Sequence, residues 1–245
     1  MTDRPLDGKV ALVTGAGRGI GRAIALGFAD AGASVCCAAR TQAQVEATAE
    51  AIRARHGRAM AYSVDVADNG AVPGMVAATV KMFGRLDIVV VNAGVNGARG
   101  NVSDTDPDAW RTTIEVNLIG AYYCAHAAVA ALRQSGGGKI IMIGSGIGHR
   151  GTAGNSAYAC SKAGLWMLTR VLAQELAADR ISVNELIPGP VETELLPADP
   201  AGRAFMGASE WLKQPEDIVP LALFLATQPA VGPSAQSFSL MRRDK

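Results

Sequence analysis

The chain has 245 residues, a formal net charge of +1, 49% apolar side chains and 18% charged ones. That length fits one large α/β domain or at most two small ones, and the composition excludes a disordered chain. Basic residues are scattered and nothing suggests a nucleic-acid surface, and the Arg242-Arg243 pair reads as a solvated tail.

Strand-like and helical runs alternate along the chain. Val10-Ala11-Leu12-Val13 predicts a first strand, followed at once by Thr14-Gly15-Ala16-Gly17-Arg18-Gly19-Ile20-Gly21. Ile20, Ile24, Phe28 and Ala31 then recur at helical spacing, and Gly32 closes the helix. Ser34 to Ala39 predicts a second strand, Gln42 to His56 a helix and Ala59 to Val64 a third strand. A helix from about Asn69 to Phe83 leads to Ile88-Val89-Val90-Val91, the most strand-like run of all. One long helical region is expected from about Pro107 to Arg133, then Gly136-Gly137-Gly138 and a strand from Lys139 to Ile143. Ala157 to Ala178 predicts another long helix, and Ile181 to Leu186 a sixth strand. Pro215 begins a helix through Phe224, and Gln236 to Leu240 offers a seventh strand.

Strands separated by helices imply parallel pairing with right-handed crossovers. The expected fold is α/β: a doubly wound, mostly parallel seven-stranded sheet with helices on both faces. No repeat or linker divides residues 1–245, so a single domain is expected. Its nucleotide half would cover about 6–135 and its catalytic half about 136–245, with a lid near 190–213.

The four cysteines, Cys36, Cys37, Cys124 and Cys160, show no metal-ligand spacing. No signal-like segment opens at Met1-Thr2-Asp3-Arg4-Pro5 and no apolar run is long enough to span a bilayer. A reduced, cytoplasmic setting is the simplest reading. Cys160 is expected to be structural, since free cysteines are commonly buried.

In a doubly wound sheet ligands sit beyond the carboxyl ends of the strands, which is where the glycine run falls. Gly15 suits a tight turn, while Gly19 and Gly21 permit close backbone approach. The helix from Gly19 onward aims free amides at a pyrophosphate. At Ala39-Arg40-Thr41 no acid is present for a ribose 2′-hydroxyl, and Glu46 is too far along. Arg40 instead suits a 2′-phosphate, with Arg18 able to converge on it, so NADP is favoured over NAD.

Tyr158 and Lys162 stand four apart, and Ser145 lies thirteen residues before Tyr158. Spacing of four puts both side chains on one helix face. A phenol ionises near pH 10, too high for ready proton exchange at neutrality. An ammonium about 5 Å away, at an effective dielectric of about 20, favours phenolate by roughly 3 kcal/mol. That is about two pKa units before any burial penalty, enough to make a general acid/base.

With these residues placed, the chain resembles the short-chain dehydrogenase/reductase family from about residue 6 to residue 226. Thr14 to Gly21 is similar to its cofactor loop, Asp65-Val66 to its adenine-contacting pair and Asn92-Ala93-Gly94 to its N-A-G motif. Asn117, Ser145, Tyr158 and Lys162 match the family's catalytic set. Pro188, Gly189, Val191 and Thr193 resemble the segment beside the nicotinamide. The resemblance implies hydride transfer between a ketone and a secondary alcohol, with Tyr158 as proton donor and Ser145 on the substrate oxygen. Lys162 would bind the nicotinamide ribose, and Asn117 would hold a water linking Lys162 to solvent. Homodimers or homotetramers are implied, although the usual Asp-Gly-Gly is missing from the tail Ser234 to Met241.

Substrate-side candidates are Ser145, Ile147, His149 and Asn155, with Leu195, Leu196, Phe205, Met206 and Trp211 in the lid. Asn155 echoes an asparagine of 3-oxoacyl carrier-protein reductases, the branch most resembled. The alternatives are an NAD-linked alcohol, sugar or polyol dehydrogenase, and a dinucleotide-sensing binding protein without turnover.

Overall fold

The computed structural model describes residues 4–196 and 210–241. Seven strands form one sheet: β1 (Val10–Thr14), β2 (Ser34–Ala39), β3 (Arg58–Ser63), β4 (Ile88–Val91), β5 (Gly138–Ile143), β6 (Ile181–Ile187) and β7 (Ser237–Ser239). Their spatial order is β3-β2-β1-β4-β5-β6-β7, and every pairing is parallel. The expected mostly parallel sheet is thus parallel throughout. The order reverses between β1 and β4, which opens a crevice at the ends of those two strands.

β1 and β4 are buried along their whole length, as strands covered on both faces must be. One core packs α1 (Gly19–Asp30) and α2 (Gln42–Arg53) on one face, with Phe28 and Ile24 fully buried. The other face carries α3 (Val72–Phe83) and the long helices described next, around Met75, Leu132 and Leu165.

The long helical region differs from its expectation. α4 (Pro107–Ile114) runs into a π turn at Glu115–Ile119 and then α5 (Gly120–Gln134). Asp106 caps α4 by accepting from the amides of Asp108 and Ala109, with Pro107 at the first helical position. The apolar periodicity carries on through the π turn, so the pattern alone showed no break. Two helices follow β5: the short α6 (Gly146–Arg150), which was not foreseen, and the long α7 (Ser156–Glu175), which was. The helix from Pro215 begins as a 3-10 turn, Pro215–Ile218, and continues as α8 (Val219–Thr227).

Cys36, Cys37 and Cys124 are buried, and burial pushes their thiols up to about 11, 12 and 12. Cys160 is exposed, against the expectation of a buried structural residue. It lies on the outer side of α7, where its helical position turns it from the core. Among the described residues no group of histidine, cysteine or carboxylate side chains could hold a metal, and no helix is long and apolar enough to cross a membrane.

Candidate active site

The glycine loop leaves β1 in a conformation that side chains resist. Gly15 has φ +66° and Gly19 φ +53°, both left-handed. A Cβ on Gly21 would lie 2.3 Å from the Gly15 carbonyl oxygen and 2.4 Å from Asn92 Nδ2. The loop is therefore pressed onto the end of β4. Asn92 Nδ2 donates to the Thr14 carbonyl at 2.8 Å, while Thr14 Oγ1 accepts from the amides of Asn92 and Ala93 at 2.9 and 3.1 Å. No side chain caps α1, which leaves its first-turn amides for a ligand.

A cavity of about 430 Å³ lies against this loop, and Arg40, Asp65, Val66, Asn92, Ala93 and Gly94 all contribute to its wall. Glycines that admit no Cβ, uncapped helix amides and an exposed guanidinium fit a dinucleotide. Arg18 lines the same cavity but pairs with Glu194 instead of standing free beside Arg40. Asp65 Oδ1 accepts from the Ala67 amide at 3.0 Å, which fixes that carboxylate at the wall.

A second cavity, of about 390 Å³, meets the first at Ile20, Asn92, Gly94, Thr193 and Leu195. Ser145, Tyr158 and Lys162 line it together. Ser145 follows β5 by two residues and caps α6, its Oγ accepting from the Ile147 amide at 3.3 Å. Tyr158 sits in the first turn of α7, and Lys162 one turn later. Lys162 Nζ lies 5.7 Å from the Tyr158 ring centroid, as the spacing of four predicts, and donates to the Ile143 carbonyl at 2.7 Å.

The electrostatics correct the simple expectation of a depressed phenol. Desolvation pushes Tyr158 above its usual value; a hydrogen bond with Ser145 and the charge of Arg99 pull the other way. Burial lowers Lys162 to about 8, opposed by the charge of Glu185. Burial outweighs the attraction that the sequence alone could count.

Asn117 lies in the π turn. Its Oδ1 accepts from the Val95 amide at 2.8 Å, and its Nδ2 donates to the Val95 carbonyl at 2.9 Å and to Ser161 Oγ at 3.1 Å. Both ends of the side chain are engaged in fixing the loop after β4 to α7. Pro188, Gly189, Val191 and Thr193 line the second cavity after β6. A Cβ on Gly19 would reach Thr193 Cγ2 at 3.1 Å, so this segment closes over the glycine loop.

On the substrate side Ile147, Asn155, Leu195 and Leu196 reach the cavity. His149 and Trp211 do not line it. His149 turns beneath the loop, its Nε2 2.9 Å from Glu185 Oε2, and Trp211 is 65% exposed. Phe205 and Met206 lie outside the described residues. Arg99 and Met241 also line the cavity, although no sequence pattern marked them. Arg99 donates to the Leu195 carbonyl at 2.7 Å, and Met241 packs so closely that a Cβ on Gly146 would lie 2.1 Å from its sulfur.

Comparison with known proteins places this geometry. The family described as short chain dehydrogenase matches residues 9–203. The short chain dehydrogenase/reductase astE of Aspergillus oryzae is 37% identical over 235 residues, covering 92% of this chain and 90% of its own. A 3-oxoacyl-[acyl-carrier-protein] reductase of Synechocystis is 34% identical, with 92% of each chain covered. The crystal structure of carveol dehydrogenase from Mycobacterium avium in complex with NAD superposes with a TM-score of 0.91 at 27% identity, covering 96% of this chain and 97% of that one. Sequence and structure agree over nearly the whole length: the chain belongs to the short chain dehydrogenase/reductase family, NAD(P)-dependent oxidoreductases that act on CH–OH and carbonyl groups.

Proposed function

We propose that the protein interconverts a ketone and a secondary alcohol, working as an NADPH-linked carbonyl reductase with Tyr158 as acid/base. The observation that carries this reading is the meeting of Ser145, Tyr158 and Lys162 in one cavity continuous with the glycine-lined one. Gly15, Gly19, Ile20 and Gly21 would hold the pyrophosphate of the dinucleotide, Arg40 with Arg18 its 2′-phosphate, Asp65 and Val66 its adenine, and Asn92, Ala93 and Gly94 its middle. Pro188, Gly189, Val191 and Thr193 would flank the nicotinamide. Bound there, the nicotinamide supplies or accepts the hydride.

In reduction the Tyr158 hydroxyl donates its proton to the substrate oxygen as negative charge develops on it. Ser145 donates a hydrogen bond to the same oxygen. The Lys162 ammonium stabilises the phenolate left behind and would bind the nicotinamide ribose. Asn117 serves as a positioning residue, holding the loop after β4 against α7. The apolar contributions of Ile147, Leu195 and Leu196 suit a ketone with a hydrophobic body. An acyl thioester is one such body, in keeping with the carrier-protein reductase relative.

Arg40 supports NADP. The Arg18–Glu194 ion pair favours a second reading, an NAD-linked alcohol or polyol dehydrogenase, because it neutralises one of the two cations a 2′-phosphate would use. Paired titrations with NADPH and NADH at equal ionic strength, followed by cofactor fluorescence, decide between them. NADPH is expected to bind at least about ten-fold tighter; tighter NADH binding would overturn the assignment. Tyr158→Phe separates an enzyme from a dinucleotide sensor. It is expected to bind cofactor normally and to lose turnover by about 100-fold or more, and undiminished turnover would sink the mechanism.

A further inference from the structure

Beneath the catalytic loop lies a carboxylate that the mechanism above does not use. Glu185, on β6, has no exposed surface. Its backbone pairs in register with Met142 of β5 and Ser237 of β7. Ser237 Oγ donates to Oε2 at 2.5 Å, and His149 Nε2 lies 3.2 and 2.9 Å from the two carboxylate oxygens. The His149 ring packs on Trp166 of α7, with centroids 5.0 Å apart.

The carboxylate is placed against the residues that carry the candidate chemistry. A Cβ on Gly144 would lie 1.9 Å from Glu185 Oε1, so the carboxylate presses on the residue between Ile143 and Ser145. Ile143 supplies the carbonyl that receives the Lys162 ammonium. Gly148, next to His149, is pressed onto the backbone of Lys162, where a Cβ would meet the carbonyl carbon at 2.6 Å. The segment from Gly144 to His149 is thereby held between a buried charge on one side and the Lys162 turn of α7 on the other. Burying an ion costs several kcal/mol before its partners repay it. An apolar residue would fill this strand position without that cost.

We infer that Glu185 is a positioning residue for the catalytic pair: clamped by His149 and Ser237, it fixes the Ser145 loop against the turn of α7 that carries Lys162. The inference rests on the assignment of Tyr158 and Lys162 made above. Facing Glu185 are His149 from α6 and the Ser237 hydroxyl from β7, with Met142 of β5 beside it in register and Gly144 just beyond that strand, while the charge of Lys162 on α7 interacts with it. Burial works to discharge Lys162, and the charge of Glu185 opposes it. The same contacts explain why His149 is withdrawn from the substrate cavity.

The test reads Lys162 directly. Trinitrobenzenesulfonate labels only the neutral amine, and mass spectrometry of the labelled peptide resolves Lys162 from other lysines, so its rate against pH gives a midpoint. In the parent that midpoint is expected near about 8. Glu185→Gln is expected to lower it by about one unit, since the opposing carboxylate charge is lost while burial still works to discharge the amine. Glu185→Asp, which keeps the charge, is expected to leave it nearly unchanged. Should the amide not be accommodated, Glu185→Met makes the same comparison, since an apolar side chain of similar length often replaces a buried ion without loss of stability. Coincident midpoints in the charged and uncharged variants would overturn the inference. Failure of the catalytic reading looks different: Tyr158→Phe would keep its turnover while the Lys162 midpoint still moved with Glu185.

Discussion

Tyr158 and Lys162 show how far a pair of residues can be read in isolation. Spacing places the ammonium 5.7 Å from the ring, but the surroundings decide what each group does there. Burial raises the phenol and lowers the amine, so each is driven toward its neutral form. This has a consequence for stability. Between about 8 and the ordinary 10.5, the unfolded chain binds a proton at Lys162 that the folded chain has already shed. Stability from this residue therefore rises with pH through that window, by at most about 3 kcal/mol. Lys162→Met is expected to abolish that part of the rise. Melting curves of the two proteins from pH 8 to 9.5 check it, because the remaining lysines and tyrosines contribute equally to both. Parallel curves would mean that Lys162 titrates as an ordinary lysine.

At the scale of elements, the glycine loop and the two strand ends it joins behave as one unit. Gly21 faces the Gly15 carbonyl oxygen and Asn92 Nδ2 at distances that no Cβ tolerates. Gly21→Ala must push the loop off β4, breaking the Asn92 bond to Thr14 that closes the crevice. Titration with NADPH is expected to show cofactor affinity falling by about 100-fold or more, with a melting temperature several degrees lower, in line with an overpacking cost of about 1–3 kcal/mol. Unchanged affinity would show that the loop does not hold the pyrophosphate. This loop was legible in the sequence because its signal is local: glycines at fixed offsets between a strand and a helix. Tyr158 and Lys162 were legible for the same reason, lying one helical turn apart. What escaped depends on distant partners. His149 meets Glu185 across 36 positions, Arg99 meets Leu195 across 96, and Arg18 is claimed by Glu194. The π turn escaped because its apolar pattern is continuous with the helices on either side, and Met241 because the tail departs from the resembled pattern.

Among the described residues, the sheet and both cores leave apolar side chains of α5, α7 and the π turn exposed together. Met167 and Val171 on α7 are 49% and 40% exposed, one turn apart on a single ridge. Tyr122 on α5 is 43% exposed, and Ile119 at the end of the π turn 37%. The two regions belong together, since Gly164 of α7 meets Leu118 of the π turn so closely that a Cβ would lie 2.6 Å from the leucine side chain. Single exposed apolar residues are ordinary, but four on adjoining helices on the same side of the sheet are what a contact between copies would cover. The resemblance implies homodimers or homotetramers, and these side chains give that expectation a testable place. Light scattering after size exclusion is expected to return a mass that is a multiple of the protomer's. Met167→Asp combined with Val171→Asp sets two buried charges at the centre of such a contact and is expected to yield protomers. The active-site cavity lies at the strand ends and not on this surface, so cofactor titration of the double variant separates dissociation from misfolding. A parent protein that elutes as a protomer, or a double variant that keeps its full assembly, would move the interface elsewhere.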